Sequence, residues 1–319
     1  MVENQKSEIK NPKFIFGPVP SRRLGRSLGV DLVPFKTCTF DCVYCQIGRT
    51  THRSLERREF VPLEPVVDQL RQALDAGPRP DYITLAGSGE PTLYLRMGEL
   101  IDRIHAMTDV PVDIITNGST LWMDDVFADV VKADLVVPSL DAGDEPTYQK
   151  INRSVIEITF QKLLAGLRRL SDTCPEKVWL EVFLVAGMND DADHVRKIAD
   201  LADRLHFAKV QLNTAVRPPA ESFVHSVPLD RLEELARLFT PPAEVIADFP
   251  PPKIEGTFRS HADAVLEMLR RRPCTADDLA AGLCIPKAEA LKLIDTLLLE
   301  NKIQSQRRQD REYYLCRTQ

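Results

Sequence analysis

Short apolar runs alternate with amphipathic segments along most of this 319-residue chain. Six of the runs have the length and apolar content of strands: 28–34, 81–87, 111–116, 134–140, 177–187 and 209–214. The clearest helical patterns between them cover 62–74, 96–107, 158–170 and 192–205. Strands that alternate with helices form parallel sheets from βαβ units, so the pattern predicts an α/β fold. Six units are too few for a closed eight-stranded barrel; an open partial barrel and a doubly wound sheet fit the count equally well.

The alternation stops at DFPPPKIEGTF, residues 248–258. Three consecutive prolines cannot continue a helix or a central strand, so this segment predicts a linker. Beyond it, 261–272, 275–283 and 286–302 have helical patterns, and 303–317 alternates like a hairpin. This is the order of a winged helix-turn-helix. We therefore expect a main domain over residues 1–248, a linker over 249–258 and a small winged helix-turn-helix domain over 259–319.

The net charge of −6 argues against a protein that coats nucleic acid. Residues 10–58 are nevertheless basic, with ten Lys and Arg against three Asp and Glu. This basic segment favours an anionic substrate or partner, and pairing of the arginines with distant acids is an equally open interpretation. The opening residues are polar, no apolar run approaches the ~20 residues of a membrane helix, and the cysteine spacing suits a reducing compartment. We expect a cytoplasmic protein without a membrane segment.

Cys38, Cys42 and Cys45 form a C-x3-C-x2-C pattern just beyond the first predicted strand. The next cysteine is Cys174, so no fourth thiolate is close in sequence. A structural zinc site needs four ligands. A [4Fe–4S] cluster is normally held by four thiolates, and three would leave one iron open to a small chelating molecule. The loop follows the carboxyl end of a strand, where ligands bind in parallel α/β proteins.

This triplet, with Tyr44 before its last cysteine, resembles the radical S-adenosylmethionine (SAM) superfamily. The resemblance implies a partial (β/α)6 barrel and a [4Fe–4S] cluster held by Cys38, Cys42 and Cys45. In that family the open iron binds the amino and carboxylate groups of SAM. Reductive cleavage of SAM then gives a 5′-deoxyadenosyl radical, which abstracts a hydrogen atom from the substrate. An external one-electron donor of the flavodoxin or ferredoxin type is also implied.

Further motifs of the family resemble segments at the ends of later predicted strands. AGSGEPTL, residues 86–93, is similar to a Gly-Gly-Glu-Pro motif that meets the methionine ammonium, although Ser88 varies from it. The other candidate cofactor contacts implied by the resemblance, with Tyr44, are Gly87, Gly89, Glu90, Asn117, Ser139, Asp141, Gly187 and Met188. Simpler interpretations stay open, because the glycines suit turns and Ser139 suits a helix cap. No catalytic residue can be assigned.

Segments 16–46, 89–105, 139–153 and 210–222 resemble the group that includes the tRNA wyosine-base synthases, a similarity that covers roughly residues 14–225. Those enzymes condense pyruvate with N-methylguanosine in tRNA. This chain has no cysteine upstream of Cys38 for their second cluster, and they lack its C-terminal tail. The resemblance therefore implies the cofactor contacts and not the reaction. The basic residues Arg49, Arg53, Arg57 and Arg58 would suit an RNA backbone, as would the predicted wing with Arg307, Arg308, Arg311, Tyr313 and Tyr314.

Three hypotheses follow. The first is a radical enzyme that modifies an RNA base, with tRNA as the partner. In the second, the enzyme acts on a peptide or small metabolite, and the tail docks a partner or closes the mouth of the site. The third is an iron–sulfur redox sensor that binds DNA through its tail, which the intact cofactor motifs disfavour.

Overall fold

The computed structural model describes residues 13–246, 262–283, 285, 287–308 and 311–317. The predicted linker and Cys284 lie outside the described residues. The elements up to residue 246 are β1 (Ile15–Ser21), β2 (Gly25–Val30), β3 (Thr37–Cys38), β4 (His52–Arg53), α1 (Leu63–Ala76), β5 (Tyr82–Leu85), α2 (Met97–Met107), β6 (Val112–Thr116), α3 (Asp124–Val130), β7 (Leu135–Pro138), α4 (Glu145–Asn152), α5 (Phe160–Thr173), β8 (Trp179–Leu184), α6 (Ala192–Asp203), β9 (Lys209–Thr214), α7 (Leu229–Ala236) and β10 (Glu244–Val245).

Six parallel strands form the centre of the molecule, in the order β2-β5-β6-β7-β8-β9. Isolated bridges join β7 to β8, where the Leu140 amide donates to the Glu181 carbonyl at 2.9 Å. β1 adds antiparallel to the outer side of β2, and β10 adds parallel to β9. The predicted α/β fold with a parallel sheet is therefore confirmed.

The helices of this part cover the sheet through apolar faces. Val66, Val67 and Leu70 of α1, spaced as one helical face, are completely buried, and all four residues of β7 are buried. Side-chain caps fix the starts of α4, α5 and α6; before α4, Asp144 accepts from the Thr147 amide at 3.1 Å.

The sequence placed the first central strand at 28–34, but β2 covers Gly25–Val30. The strand stops where Asp31 turns its carboxylate to the Ser88 amide, at 3.0 Å. The pattern also missed β1, whose sequence IFGPVPS contains a glycine and two prolines, and it missed the short helices α3, α4 and α7. Turn residues and short length hide such elements from a periodicity argument.

The C-terminal elements are α8 (Ala262–Arg271), α9 (Ala276–Gly282), α10 (Lys287–Leu299), β11 (Ile303–Arg308) and β12 (Arg311–Cys316). They share an apolar core that includes Leu279, Ile294 and Leu297 and that extends to Val19 of β1. Helices and hairpin occur in the predicted order. Their assignment as a winged helix-turn-helix, and the domain division at 248 and 258, stay predictions.

The C-terminal elements contact both edges of the central sheet. On the β1 side, the Lys13 ammonium lies 2.6 Å from the Glu267 carboxylate. On the β9 side, the Tyr313 hydroxyl donates to the Val216 carbonyl at 2.6 Å. The tail therefore bridges the gap between the first and last strands. None of the helices in the described ranges has both the length and the apolar content to span a bilayer.

Candidate functional site

The cysteine loop starts in β3 and is tied to the end of α4. The Asp41 amide donates to the Asn152 carbonyl at 3.0 Å, and the Val43 amide donates to the Ile151 carbonyl at 2.9 Å. A turn closed by the Cys45 amide and the Cys42 carbonyl, 3.1 Å apart, separates the last two cysteines. Cys38, Cys42 and Cys45 all line one cavity of about 370 Å³.

Burial dominates the electrostatics of these thiols. It raises the pKa of Cys38 to about 12, an effect strengthened by the Glu90 carboxylate, and it raises the pKa values of Cys42 and Cys45 as well. Two amides oppose the effect: Asn117 Nδ2 and Asn152 Nδ2 each lie 3.5 Å from a sulfur, of Cys38 and Cys42 respectively. Three thiolates at this place therefore need a cationic partner.

Glu90 is buried beside the cysteine loop. Its Oε1 accepts from the hydroxyls of Thr92 and Thr116, both at 2.6 Å, and its Oε2 accepts from the Asn117 amide at 2.8 Å. Burial raises the pKa of Glu90, and these donors lower it. The carboxylate lines the same cavity as the cysteines and is held in one orientation by residues that end β5 and β6.

The two glycines before Glu90 also line the cavity. Gly87 has a φ of +151°, and a Cβ there would lie 2.7 Å from Oδ1 of Asp31. Gly89 is bridged to Thr37 of β3. Small residues are therefore required where the end of β5 meets the cysteine loop.

Tyr44 lines the cavity and stacks on Phe183, with ring centroids 3.8 Å apart and an interplanar angle of 11°. Its hydroxyl donates to Asp141, which also accepts from Asn152 Nδ2 at 2.8 Å and from the Phe183 amide at 2.9 Å. Burial raises the pKa of Asp141 to about 6 against these donors. Asp141 thus orients Tyr44, and it is not among the residues that line the cavity.

Ser139 lines the cavity, whereas Gly187 and Met188 do not. Gly187 is exposed with a φ of +72°, and Met188 packs beside Phe183. Ser139 does not cap the next helix, because Asp144 does. The individual roles of the nine predicted cofactor contacts stay predictions.

The basic segment is largely paired within the fold. Arg57 is buried between Asp125 and Asp129, and Arg49 lies 2.9 Å from Asp41. Arg53 and Arg58 are exposed. The expectation that Arg57 contacts RNA is therefore wrong for this conformation, because its guanidinium is occupied inside the protein.

Several residues of the predicted wing are also buried or bonded within the protein. Tyr313 and Tyr314 are buried, and Arg308 Nη2 donates to the Val224 carbonyl. Arg307 and Arg311 are exposed. The hairpin thus packs its aromatic side chains on the rest of the chain.

Residues 32–202 match the family model described as the radical SAM superfamily. The chain belongs to this superfamily. A Brachyspira hyodysenteriae protein named GTPase Obg is 34% identical over 304 residues, which are 94% of this chain and 45% of that protein, so the chain spans less than half of it. A Helicobacter pylori UPF0026 protein is 30% identical over 309 residues, 96% of this chain and 98% of that protein.

A Nitratidesulfovibrio vulgaris protein named dual-specificity RNA methyltransferase RlmN is 24% identical over 206 residues, 60% of this chain and 53% of that protein. Among solved structures, TYW1 with a lysine-pyruvate adduct bound has a TM-score of 0.51 at 21% identity, and the alignment covers 72% of this chain and 76% of that one. The structural likeness supports the fold of the radical SAM superfamily. This chain is an enzyme of that superfamily.

Radical SAM enzymes hold a [4Fe–4S] cluster and bind SAM, and the residues present fit both. Three partly buried thiols line one cavity, and Glu90 and Asn117 are in the same lining. Within the described part of the chain, no three or more His, Cys, Asp or Glu side chains are arranged to hold a single metal ion.

Sequence reasoning missed two groups of residues around this cavity. Asn152, which contacts both the Cys42 sulfur and Asp141, lies at the end of a helix that the pattern did not predict. The second group lines the cavity and consists of Arg22, Arg23, Arg217, Arg271 and Arg272. Four of them belong to RR and RRR runs that are visible in the sequence, and Arg217 stands alone; only the fold shows that these distant segments meet.

Proposed function

We propose that this enzyme cleaves SAM reductively and abstracts a hydrogen atom from a substrate held in the adjoining cavity. The observation that carries the proposal is that Cys38, Cys42, Cys45, Glu90 and Asn117 line one cavity. When bound, the cluster and SAM supply one electron and a 5′-deoxyadenosyl radical, and an external flavodoxin- or ferredoxin-type donor in a reducing cytoplasm would deliver the electron.

The residues of the chain position and shield this chemistry. Glu90, fixed by donors from Thr92, Thr116 and Asn117, offers a carboxylate to the methionine ammonium. Asn117 and Asn152 donate toward thiolate sulfurs and so stabilise their charge. The stacked Tyr44 and Phe183 rings exclude water from the wall beside the cysteines.

An RNA base is one candidate substrate. Support comes from the similarity to a protein named as an RNA methyltransferase and from the exposed Arg53 and Arg58 near the cysteine loop. If RNA is the substrate, tRNA should bind weakly and lose affinity as salt is raised, because contacts to phosphates release counterions.

A peptide or small metabolite is the second candidate. It is favoured by the C-terminal tail, since Met268, Arg271 and Arg272 line the cavity rather than an outer surface. This arrangement suits a tail that closes the site. Nothing in the cavity favours a redox sensor that binds DNA.

The test is anaerobic reconstitution with iron, sulfide and SAM, with 5′-deoxyadenosine measured by mass spectrometry. Separate reactions receive fractionated tRNA, a total peptide pool or a small-metabolite pool. We expect one pool to raise 5′-deoxyadenosine formation. Stimulation by tRNA that disappears in the Arg53→Ala, Arg58→Ala double variant would select RNA, and stimulation by metabolites that survives in that variant would select a small molecule.

A further inference from the structure

Five arginines line the cavity that the cysteines also line: Arg22, Arg23, Arg217, Arg271 and Arg272. They come from the β1–β2 turn, the loop after β9 and the end of α8. The acidic residues of the lining are Glu90 and Glu181. A concave surface with this excess of guanidinium groups has the composition of an anion site.

Neighbouring acids offset only part of this charge. Arg23 Nη2 pairs with Glu181, and Arg217 lies 3.6 Å from Asp278 of α9, both within the buried interior. Arg271 Nε lies 3.8 Å from Asp31, beyond hydrogen-bond distance. Arg22 donates to the Ile246 carbonyl at 2.8 Å, and the Glu181 carboxylate also stabilises its charge.

Buried N–H groups in this cluster lack acceptors in the protein. Among the described residues, Arg23 Nη1, Arg271 Nε and Arg272 Nη2 are buried without a hydrogen-bond partner, and the Arg23 side chain is only 9% exposed. A buried donor without an acceptor is costly, and a guanidinium is especially so. Three such donors on one cavity are satisfied together by a ligand with several acceptor oxygens.

The arginines also influence one another. Burial lowers the pKa of Arg22 to about 9, with further lowering by Arg217, Arg23 and Arg272. Burial and Arg272 lower the pKa of Arg217 to about 10. Guanidinium groups that lower each other's pKa values repel one another, and an anion would relieve that repulsion.

We propose that Arg23, Arg271 and Arg272 bind the carboxylate or phosphate group of a small anionic substrate, and that α8 of the C-terminal tail thereby completes the substrate site. The proposal rests on the proposed hydrogen-abstraction function and names its substrate class. A small molecule is favoured over an RNA strand because the tail closes one side of the cavity. There Tyr313 donates to the Val216 carbonyl and Arg308 to the Val224 carbonyl.

Anion binding is measured by calorimetry on the reconstituted full chain with SAM present and no reductant, so that the SAM carboxylate already occupies its own site. Inorganic phosphate, acetate and a short RNA oligonucleotide are titrated separately. We expect phosphate or acetate to bind, and Arg272→Gln to weaken that binding by about tenfold or more, the loss of a charge-assisted hydrogen bond. The matched control is Arg270→Gln, an exposed neighbour on the same helix, which should change binding less than about twofold.

A second measurement needs no substitution. Arginine-specific modification followed by peptide mass spectrometry should show that the bound anion protects Arg272 and leaves Arg270 reactive. If phosphate binds and acetate does not, the anionic group of the substrate is a phosphate. If acetate binds and phosphate does not, it is a carboxylate. Either outcome supports the proposal.

The proposal is overturned if neither small anion binds, if both variants bind equally, or if only the oligonucleotide binds. Formation of 5′-deoxyadenosine by the unsubstituted protein is assayed separately. A chain that binds anions but never cleaves SAM would contradict the proposed function and leave the anion site standing.

Discussion

Gly89 and Thr37 lie so close that a Cβ built on Gly89 would be 1.7 Å from the Thr37 carbonyl oxygen. This contact joins the end of β5 to the start of the cysteine loop, and the Glu90 amide donates to the same oxygen at 3.1 Å. The position of the carboxylate relative to the thiols therefore depends on a residue without a side chain.

Gly89→Ala should cost at least about 3 kcal/mol in the free energy of unfolding, because a backbone oxygen cannot move aside as a flexible side chain can. The control is Gly187→Ala, where φ is +72° but no atom lies within 4 Å of the new Cβ. At that position only the cost of placing a residue with a side chain in the left-handed backbone region should remain, about 1 to 2 kcal/mol in the free energy of unfolding. Urea unfolding of the cluster-free protein measures both, and equal losses would show that the contact with Thr37 is not tight.

Replacing Cys42 with alanine should abolish cluster assembly and SAM cleavage together, since two thiolates would remain on the cavity wall. Iron and sulfide analysis after anaerobic reconstitution should give close to zero instead of about four of each per chain. Cys316→Ala in β12, away from the cavity, is the control and should assemble normally. A Cys42→Ala variant with full iron content would disprove the assignment of this ligand.

Glu90→Gln should weaken SAM binding by about 10- to 100-fold, because an ion pair with the methionine ammonium becomes a hydrogen bond from that ammonium to a neutral amide oxygen. Equilibrium dialysis with labelled SAM measures the dissociation constant directly. Since Glu90 also accepts from Thr116 and the Asn117 amide, the unfolding midpoint is measured alongside. If SAM affinity stays unchanged in a stably folded variant, Glu90 has a structural role only.

Asp113 provides a prediction about pH. It lies fully buried at the start of β6, its Oδ1 accepts from the Thr84 hydroxyl at 2.6 Å, and burial raises its pKa from 3.8 to about 7. Between these two pKa values the folded protein keeps the Asp113 proton, whereas the unfolded chain releases it. The contribution of protonated Asp113 to the free energy of unfolding is therefore complete below about pH 4 and is lost as the pH rises to about 7.

Between about pH 5 and pH 7 the unfolding free energy should therefore fall by about 2 kcal/mol more in the unsubstituted protein than in Asp113→Asn. Urea titrations across this range measure the difference, with Asp68→Asn, exposed on α1, as the control. Parallel pH profiles for Asp113→Asn and the unsubstituted protein would contradict the raised pKa.

The parallel sheet could be predicted from sequence because its strands are buried on both faces and give continuous apolar runs, as in β7. That the three cysteines lie together could be predicted because their spacing is local. In contrast, β1 is masked by its glycine and prolines, and its pairing with β2 follows from the hydrogen bonds of a turn rather than from apolar periodicity.

The arginine cluster shows the limit of such reasoning. Arg23 and Arg272 are about 250 positions apart in sequence, and no local pattern states that they line one cavity. For the same reason the sequence left two interpretations of the basic segment open, and for Arg57 the structure shows the pairing with distant acids. Arg57 reads as a surface charge in sequence, yet the fold buries it against Asp125 and Asp129 of α3, a helix too short to be predicted.

Mass spectrometry of an anaerobic reaction that contains the reconstituted protein, SAM and a chemical reductant tests the central claim most directly. Alongside it, the metal content of the same sample is measured. We predict about four irons per chain and formation of 5′-deoxyadenosine that requires the reductant. One zinc per chain, bound by the same three cysteines and accompanied by no 5′-deoxyadenosine, would contradict the account.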